Sequence, residues 1–417
     1  MFQIKNLNDS KSNSNYDVNV FKAELFDNIQ FIYELSLADL ELKSLNFDFS
    51  VSEGLRDFFI NNVSHSDLLK FIKRTSYFQS INSHFTHYYH IIKKNKTSSV
   101  NQYLTHWIYP YKGKFHPQMI RALTNIIGLN QGDILLDPFS GSGTTALESQ
   151  LLGVNFIGYD ISPLCVIQGN VKTQSIFVID EIKKIKSEIL NSLKPNIFQN
   201  NNDYYQILDS LKLDEKVKSF YILCRLLAVS DNSRRNRNFE NSFIKNLNLM
   251  IQSIDDYIDI IKKLNLNIGN VQIDIGDARN LPLQDNSVDG IITSPPYSIA
   301  LDYVKNDEHS LSDLGYDVVK LRDDFIGVRG NGKTRIELYN EDMEKTYLEM
   351  YRVLKPNKYA VIVIGNATFQ SKEIRTVEST ISFMKKIGFS LFKNINKIIF
   401  GLYNVMKKEN ILIFKKE

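Results

Sequence analysis

The run TSPPY, Thr293 to Tyr297, follows an apolar stretch and packs a hydroxyl, two prolines and an aromatic ring into one short turn. The Ser294 oxygen is able to accept hydrogen bonds. The carbonyl of Pro295 is a second acceptor, held in place because Pro296 restricts the residue before it to extended backbone. Tyr297 offers a flat face on which a ring could stack. Two acceptors converging on the two protons of an aromatic amine would draw its lone pair out of conjugation, which such an amine needs before it can act as a nucleophile. No strong base is required, since the alkylated amine is acidic and loses its proton afterwards, so orientation and electrostatics would supply the rate. A rigid surface turn would also explain Pro-Pro, but the place of this one, directly after a strand-like run, favours the chemical reading.

A second constellation is DPFSGSGTTA, residues 137–146. Gly141 and Gly143 let the backbone bend sharply and approach a ligand closely. Asp160, which ends the next apolar run, is placed to accept from ribose hydroxyls. Three readings stay open at this point. The spacing G-x-G-x-x-A fits a dinucleotide fingerprint. Asp137 would repel a pyrophosphate seated on the helix N-terminus and suits instead a ligand carrying an ammonium group, such as the methionine part of S-adenosylmethionine. An ordinary glycine turn is the third. In IGDARNLP, Asp277 could accept from an adenine amine while the Ala278 N–H meets a ring nitrogen; beside Asp160 and the turn, this favours the methyl donor.

Placing these residues requires an α/β sheet. DILLDPF reads as a buried parallel strand, GSGTTALESQLLG as a glycine turn and helix, and NFIGYD as the next strand, a βαβ unit. HPQMIRALTNIIGL before it reads as a helix, with Pro117 in its first turn and Gly128 at its end. NVQIDIGDARNLP, VDGIITSPPY, the helix NEDMEKTYLEMYRVL and the strand YAVIVIGN resume the pattern, and FSLFKNINKIIF with ENILIFKKE predicts a closing hairpin. Between the halves, residues 170–268 carry amphipathic helical stretches. The expected organisation is an N-terminal extension over 1–104, helical-looking in FKAELFDNIQFIYELSLADLEL and a candidate for target recognition. The two parts of the sheet domain follow at 105–169 and 269–417, with a helical insertion at 170–268 between them.

Composition bounds the rest. A chain of 417 residues with 43% hydrophobic and 23% charged residues can bury a sizeable core. No stretch is apolar for long enough to span a bilayer, and the polar N-terminus lacks a signal core, so a cytoplasmic protein is expected. Cys165 and Cys224 form no CxxC pair, which argues against a disulfide framework and against a metal site. Both look like packing residues, so attack of a thiolate on a pyrimidine ring is not expected.

DPFSGSGTTALESQLLGVNFIGYDISP resembles the cofactor motif of the amino-group (N4-cytosine and N6-adenine) DNA methyltransferases, and TSPPY resembles their catalytic motif, (D/N/S)-P-P-(Y/F/W). Serine in its first position is associated mainly with cytosine-N4 enzymes. The resemblance implies a Rossmann-like S-adenosylmethionine-dependent sheet with helices on both faces. It also implies a catalytic set of Ser294, Pro295, Pro296 and Tyr297. Cofactor contacts would come from Asp137, Phe139, Gly141, Gly143, Thr144, Asp160, Asp277 and Ala278. KFHPQMIRAL resembles the segment that closes over the methionine end of the donor, adding Lys114, His116 and Pro117. The implied activity is methyl transfer to N4 of cytosine in duplex DNA, with the target base flipped out of the helix. Alternatives are an N6-adenine enzyme, an RNA base-amine methyltransferase and a silent cofactor- or DNA-binding regulator. Host defence with a cognate restriction endonuclease is compatible with these residues. The long interval between the second strand and IGDAR departs from the familiar subclasses, which keep it short.

For the nucleic acid itself, Arg234, Arg235 and Arg237 form the densest basic cluster, expected in a polar interhelical loop able to grip phosphates. Arg329, Lys333 and Arg335, in the glycine-containing stretch RDDFIGVRGNGKTRIELYN, are candidates on a segment that closes over the base.

Overall fold

The structure, a computed structural model, describes residues 20–95, 99, 101–192, 201–296, 302–369, 372–400 and 406–417. Its first unit is a five-stranded antiparallel sheet built from β1 (Val20–Leu25), β2 (Asp48–Val51), β3 (Asp57–Asn61), β4 (Phe78–Ile81) and β5 (His84–Phe85), in the order β2-β3-β1-β4-β5. Helices α1 (Ile32–Ser44), α2 (His65–Arg74) and α3 (His87–Ile92) connect and cover it. The helical expectation for FKAELFDNIQFIYELSLADLEL is therefore only half met. In VFKAEL the apolar residues alternate, with Ala23 and Leu25 buried, which is strand periodicity. The helix starts only at Ile32, where the Glu34 carboxylate accepts from the N–H groups of Gln30 and Phe31 at 2.9 and 3.0 Å.

Helix α4 (Pro117–Ile126) leads into the large sheet. Its strands are β6 (Ile134–Asp137), β7 (Asn155–Asp160), β8 (Val271–Ile275), β9 (Val288–Thr293) and β10 (Leu354–Ile364), all parallel, closed by the antiparallel hairpin β13 (Phe389–Phe400) and β14 (Met406–Lys416). A separate short ribbon pairs β11 (Ala367–Phe369) with β12 (Lys372–Ile374). The order in the large sheet is β13-β14-β10-β9-β6-β7-β8. The chain runs outward from β6 through β7 to β8, then returns to the other side of β6 as β9. That reversal opens a crevice at the carboxyl ends of β6 and β9. Every residue of β9 is buried, as its unbroken apolar run requires.

Around the sheet lie α5 (Thr144–Leu151), α6 (Pro163–Gln174), α13 (Gly332–Val353) and α14 (Thr376–Lys386). Between β7 and β8 the helices α7 (Ile179–Ser192), α8 (Asn201–Ser210), α9 (Glu215–Arg235) and α10 (Phe239–Leu264) build a second core with α11 (Tyr303–Asp313) and α12 (Val318–Asp324). The buried Arg225 ties α9 to α11 through a two-pronged contact with Asp313, at 2.9 and 2.8 Å. Two expected loops turn out to be helix. Helix α9 runs on through Arg234 and Arg235, leaving only residues 236–238 before α10, with Asn236 in the left-handed conformation as C-cap and Asn238 capping the next helix. After the proline loop, α12 and α13 occupy most of the stretch expected to be mobile, and Lys333 and Arg335 lie in the first turns of α13.

Candidate active site

Gly141 and Gly143 sit at φ +50° and +75°, conformations that a side chain rarely adopts. The turn they form holds the Gly141 N–H 2.8 Å from the Asp160 carboxylate, and Ser162 N–H closes on the same group at 2.9 Å. Burial, opposed by these two donors, pushes the Asp160 carboxyl up to about 6. From α6, the buried Lys172 ammonium reaches the carbonyl of Ser142 at 2.7 Å and pins the turn from behind.

The turn opens onto a cavity of about 400 Å³ at the crevice. Of the expected residues, Lys114, Phe139, Gly141, Thr144, Asp160, Asp277, Ala278, Ser294 and Pro296 line it. The structure thus brings the glycine turn, the end of β7, the end of β8 and the proline loop to one space. Pro295, between the cavity-lining Ser294 and Pro296, is buried. Tyr297 lies outside the described residues. Ser294 donates its hydroxyl proton to the Val363 carbonyl at 3.0 Å.

Other expected positions lie elsewhere or are engaged differently. Asp137 stands beneath the cavity, 1% exposed, accepting from Phe139 N–H at 3.1 Å, Thr145 Oγ1 at 3.0 Å and Thr293 Oγ1 at 2.7 Å. Rather than facing an ammonium, it joins the end of β6 to the end of β9, because a carboxylate at a buried strand end must find donors within the fold. Burial pushes its carboxyl up to about 7 against those three bonds. His116 caps α4 and Pro117 opens it, and neither reaches the cavity. Lys114 aims its ammonium at the carbonyls of Asn101 and His106, and burial lowers it to about 7. Asp277 faces the cavity while paired with Arg279 at 2.7 Å, and Arg279 in turn meets the buried Asp342. Burial raises the Asp277 carboxyl, but the bonds to Arg279 outweigh it and the net direction is down.

Four of the six basic candidates are bound to carboxylates. Arg234 pairs with Asp307 at 2.9 Å, and Arg235 and Arg237 both reach Asp231. Arg329 clasps Asp342, while Arg335 donates to the Gly327 carbonyl at 2.7 Å. Lys333 is exposed at the start of α13.

Sequence reasoning missed several walls. Tyr111 and Tyr303 stack at 6.4 Å, and a Cβ on Gly141 would stand 3.2 Å from the Tyr111 ring. Tyr303 ends the very stretch TSPPYSIALDY that holds the proline loop. Cys165, read as packing, also lines the cavity; burial drives its thiol upward, which keeps it a neutral wall. Lys397 and Glu409 arrive from the terminal hairpin.

The site fits a nucleoside-like donor. The cavity-lining residues Ser140 and Thr144 carry buried hydroxyl oxygens with no hydrogen-bond partner among the described residues, and Asp160 presents a carboxylate at the strand end. Buried polar groups of this kind call for a polar ligand. Among the described residues, no cluster of His, Cys, Asp or Glu could hold a metal ion, and no helix is long and apolar enough to cross a membrane.

Residues 73–168 match the N6/N4 methyltransferase family model, described as a DNA methylase. The type II methyltransferase M.MjaII of Methanocaldococcus jannaschii is 40% identical over 116 residues, covering 28% of this chain and 21% of that protein. The type II methyltransferase M.BsoBI of Geobacillus stearothermophilus is 26% identical over 302 residues, covering 57% of this chain and 59% of that protein. A tRNA (guanine(10)-N2)-dimethyltransferase of Methanothermobacter thermautotrophicus is 32% identical over 78 residues, 19% of this chain and 23% of that protein. The chain thus spans between about a fifth and three-fifths of the length of these relatives. The segment at 73–168, which contains the glycine turn and Asp160, is thus similar to the amino-group methyltransferases, and that likeness implies S-adenosylmethionine as the cofactor.

Proposed function

We propose that the protein methylates an exocyclic base amine in DNA, with N4 of cytosine as the favoured target and N6 of adenine as the alternative. One observation carries this reading: the glycine turn and the proline loop open on one cavity, and the strands they end are joined by the Thr293–Asp137 hydrogen bond. When bound, S-adenosylmethionine supplies an electrophilic methyl carbon. Asp160 would accept from its ribose hydroxyls, and the hydroxyls of Ser140 and Thr144 would gain partners. The Ser294 proton is engaged by Val363, so toward a base amine the hydroxyl oxygen acts as an acceptor. Together with the Pro295 carbonyl it would orient the two amine protons and turn the nitrogen lone pair toward the methyl carbon. Tyr297 would hold the flipped base by stacking.

Ser294 at the head of the motif favours cytosine, and the match of residues 73–168 to a family described as DNA methylase favours DNA. The tRNA dimethyltransferase match favours, as a second reading, a base amine in RNA. Labelled donor offered separately with duplex DNA, single-stranded DNA and tRNA, followed by identification of the modified base, tests both. N4-methylcytosine in duplex DNA is the expected product. Label confined to tRNA would transfer the assignment to the second reading. Donor binding without transfer to any nucleic acid would leave a regulator.

A further inference from the structure

We propose that the ion pair Lys397–Glu409 reads the hydrogen-bonding edge of the target base held at Ser294, an inference that rests on the amine-methylation reading above. The two residues face each other across β13 and β14, with Nζ and Oε2 2.6 Å apart and side chains 11% and 13% exposed. On the preceding inward rung of the hairpin, Ile395 faces Ile411, both buried in the main core. The alternation calls for another aliphatic pair, and the chain places two charges there instead. A buried ion pair is rarely more stabilising than apolar residues of the same volume, so stability does not account for it.

Placement gives the reason. Both side chains line the cavity that Ser294 and Pro296 line. Ser294 bonds to the carbonyl of Val363, Val363 pairs with Ile411, and Glu409 lies two residues along the same strand face. At Gly365, beside Glu409, an added Cβ would stand 3.5 Å from the Glu409 Cγ and 3.0 Å from the Lys408 carbonyl. In cytosine and in adenine the amine is flanked by a ring nitrogen that only accepts, and cytosine has a carbonyl oxygen beyond it. An ammonium has three donors. One engages Glu409, and the others are available to that accepting edge. Glu409 aims the ammonium and offsets its pull on the electrons of the neighbouring amine.

The test uses the full chain, tritiated S-adenosylmethionine and mixed-sequence duplex DNA, comparing the unaltered protein with Lys397→Met, Lys397→Arg and Glu409→Gln. Lys397→Met should lower kcat/KM for DNA on the order of 10- to 100-fold while donor Kd stays within about twofold, with Lys397→Arg recovering part of the loss. The salt dependence of DNA binding should keep its slope, because a base-edge contact releases no counterion. A weaker donor Kd would assign the pair to the donor's carboxylate, and a shallower slope would assign Lys397 to a phosphate. Label in guanine would assign the edge to Glu409 as acceptor. Each of these overturns the proposal, as does undiminished kcat/KM in both Lys397→Met and Glu409→Gln while the unaltered protein labels DNA. If the unaltered protein labels no nucleic acid, the amine-methylation reading itself fails.

Discussion

Gly143 is where the glycine turn touches α6, and the consequence of filling it can be worked out. At φ +75° a side chain costs about 1–2 kcal/mol in backbone conformation. Its Cβ would also stand 2.6 Å from the Cα of Gly169, which is backbone and cannot swing aside. Forcing that contact costs about 1–3 kcal/mol more as overpacking, so Gly143→Ala should destabilise by about 2–5 kcal/mol in all. Gly128→Ala isolates the first contribution, since Gly128 has φ +74° and nothing within 4 Å of its Cβ position; it should lose only about 1–2 kcal/mol. Urea unfolding of both variants measures the difference. Displacing the turn also disturbs the Gly141–Asp160 hydrogen bond, and losing about 1 kcal/mol there would weaken donor binding roughly fivefold by calorimetry. If Gly143→Ala proves no less stable than Gly128→Ala, the close approach of turn and helix is not what the glycine serves.

Three further outcomes follow from the structure. Ser294→Ala should leave donor binding intact and lower kcat on the order of 10- to 100-fold in a labelled-methyl assay; unchanged turnover would remove Ser294 from the chemistry. Asp137, at about 7 in the folded chain against an ordinary 3.8, holds a proton that the unfolded chain releases. Its contribution to stability is therefore full below about pH 4 and is lost as pH rises to about 7. The buried His106 and His116, lowered to about 4 and about 3, act in the opposite direction, so the informative quantity is a difference. The stability of Asp137→Asn should fall less between about pH 5 and 7 than that of the unaltered chain, and parallel curves would refute the assignment. Finally, Arg225→Met leaves Asp313 without its main partner and should destabilise by roughly 3–5 kcal/mol in urea, whereas a loss below about 1 kcal/mol would mean the contact is idle.

The parallel strands, the glycine turn and the hairpin were readable because their signals are local: continuous apolar runs, glycines beside a helix start, alternation near the end of the chain. The residues that gather at the cavity from those elements were readable for the same reason. What could not be read depended on partners distant in sequence. Asp137 looked like a ligand contact, yet only the fold reveals that Thr293 and Thr145 take its oxygens. The arginines at 234, 235 and 237 looked like a phosphate grip until Asp307 and Asp231 were found opposite them. Tyr111, Lys397 and Glu409 carried no motif, and reach the cavity only because a loop and a hairpin fold over it. In VFKAEL the neighbouring helix drew the reading across a boundary that the two-residue alternation marks.

Glu148, on the helix that follows the glycine turn, is fully buried and is gripped by Tyr103, His106 and Arg121. Arg121 donates in turn to the carbonyls of Lys73 and Arg74 in the N-terminal unit. The N-terminal unit is thereby tied to the helix that follows the glycine turn through this carboxylate, alongside the bonds from Arg74 to the Leu129 and Leu152 carbonyls. A fragment trimmed to begin after Tyr103 would lose that residue's bond to the carboxylate and should fail at its glycine turn first. Equally, a shift of the N-terminal unit at Lys73 and Arg74 would be passed through Arg121 to the helix that follows the glycine turn.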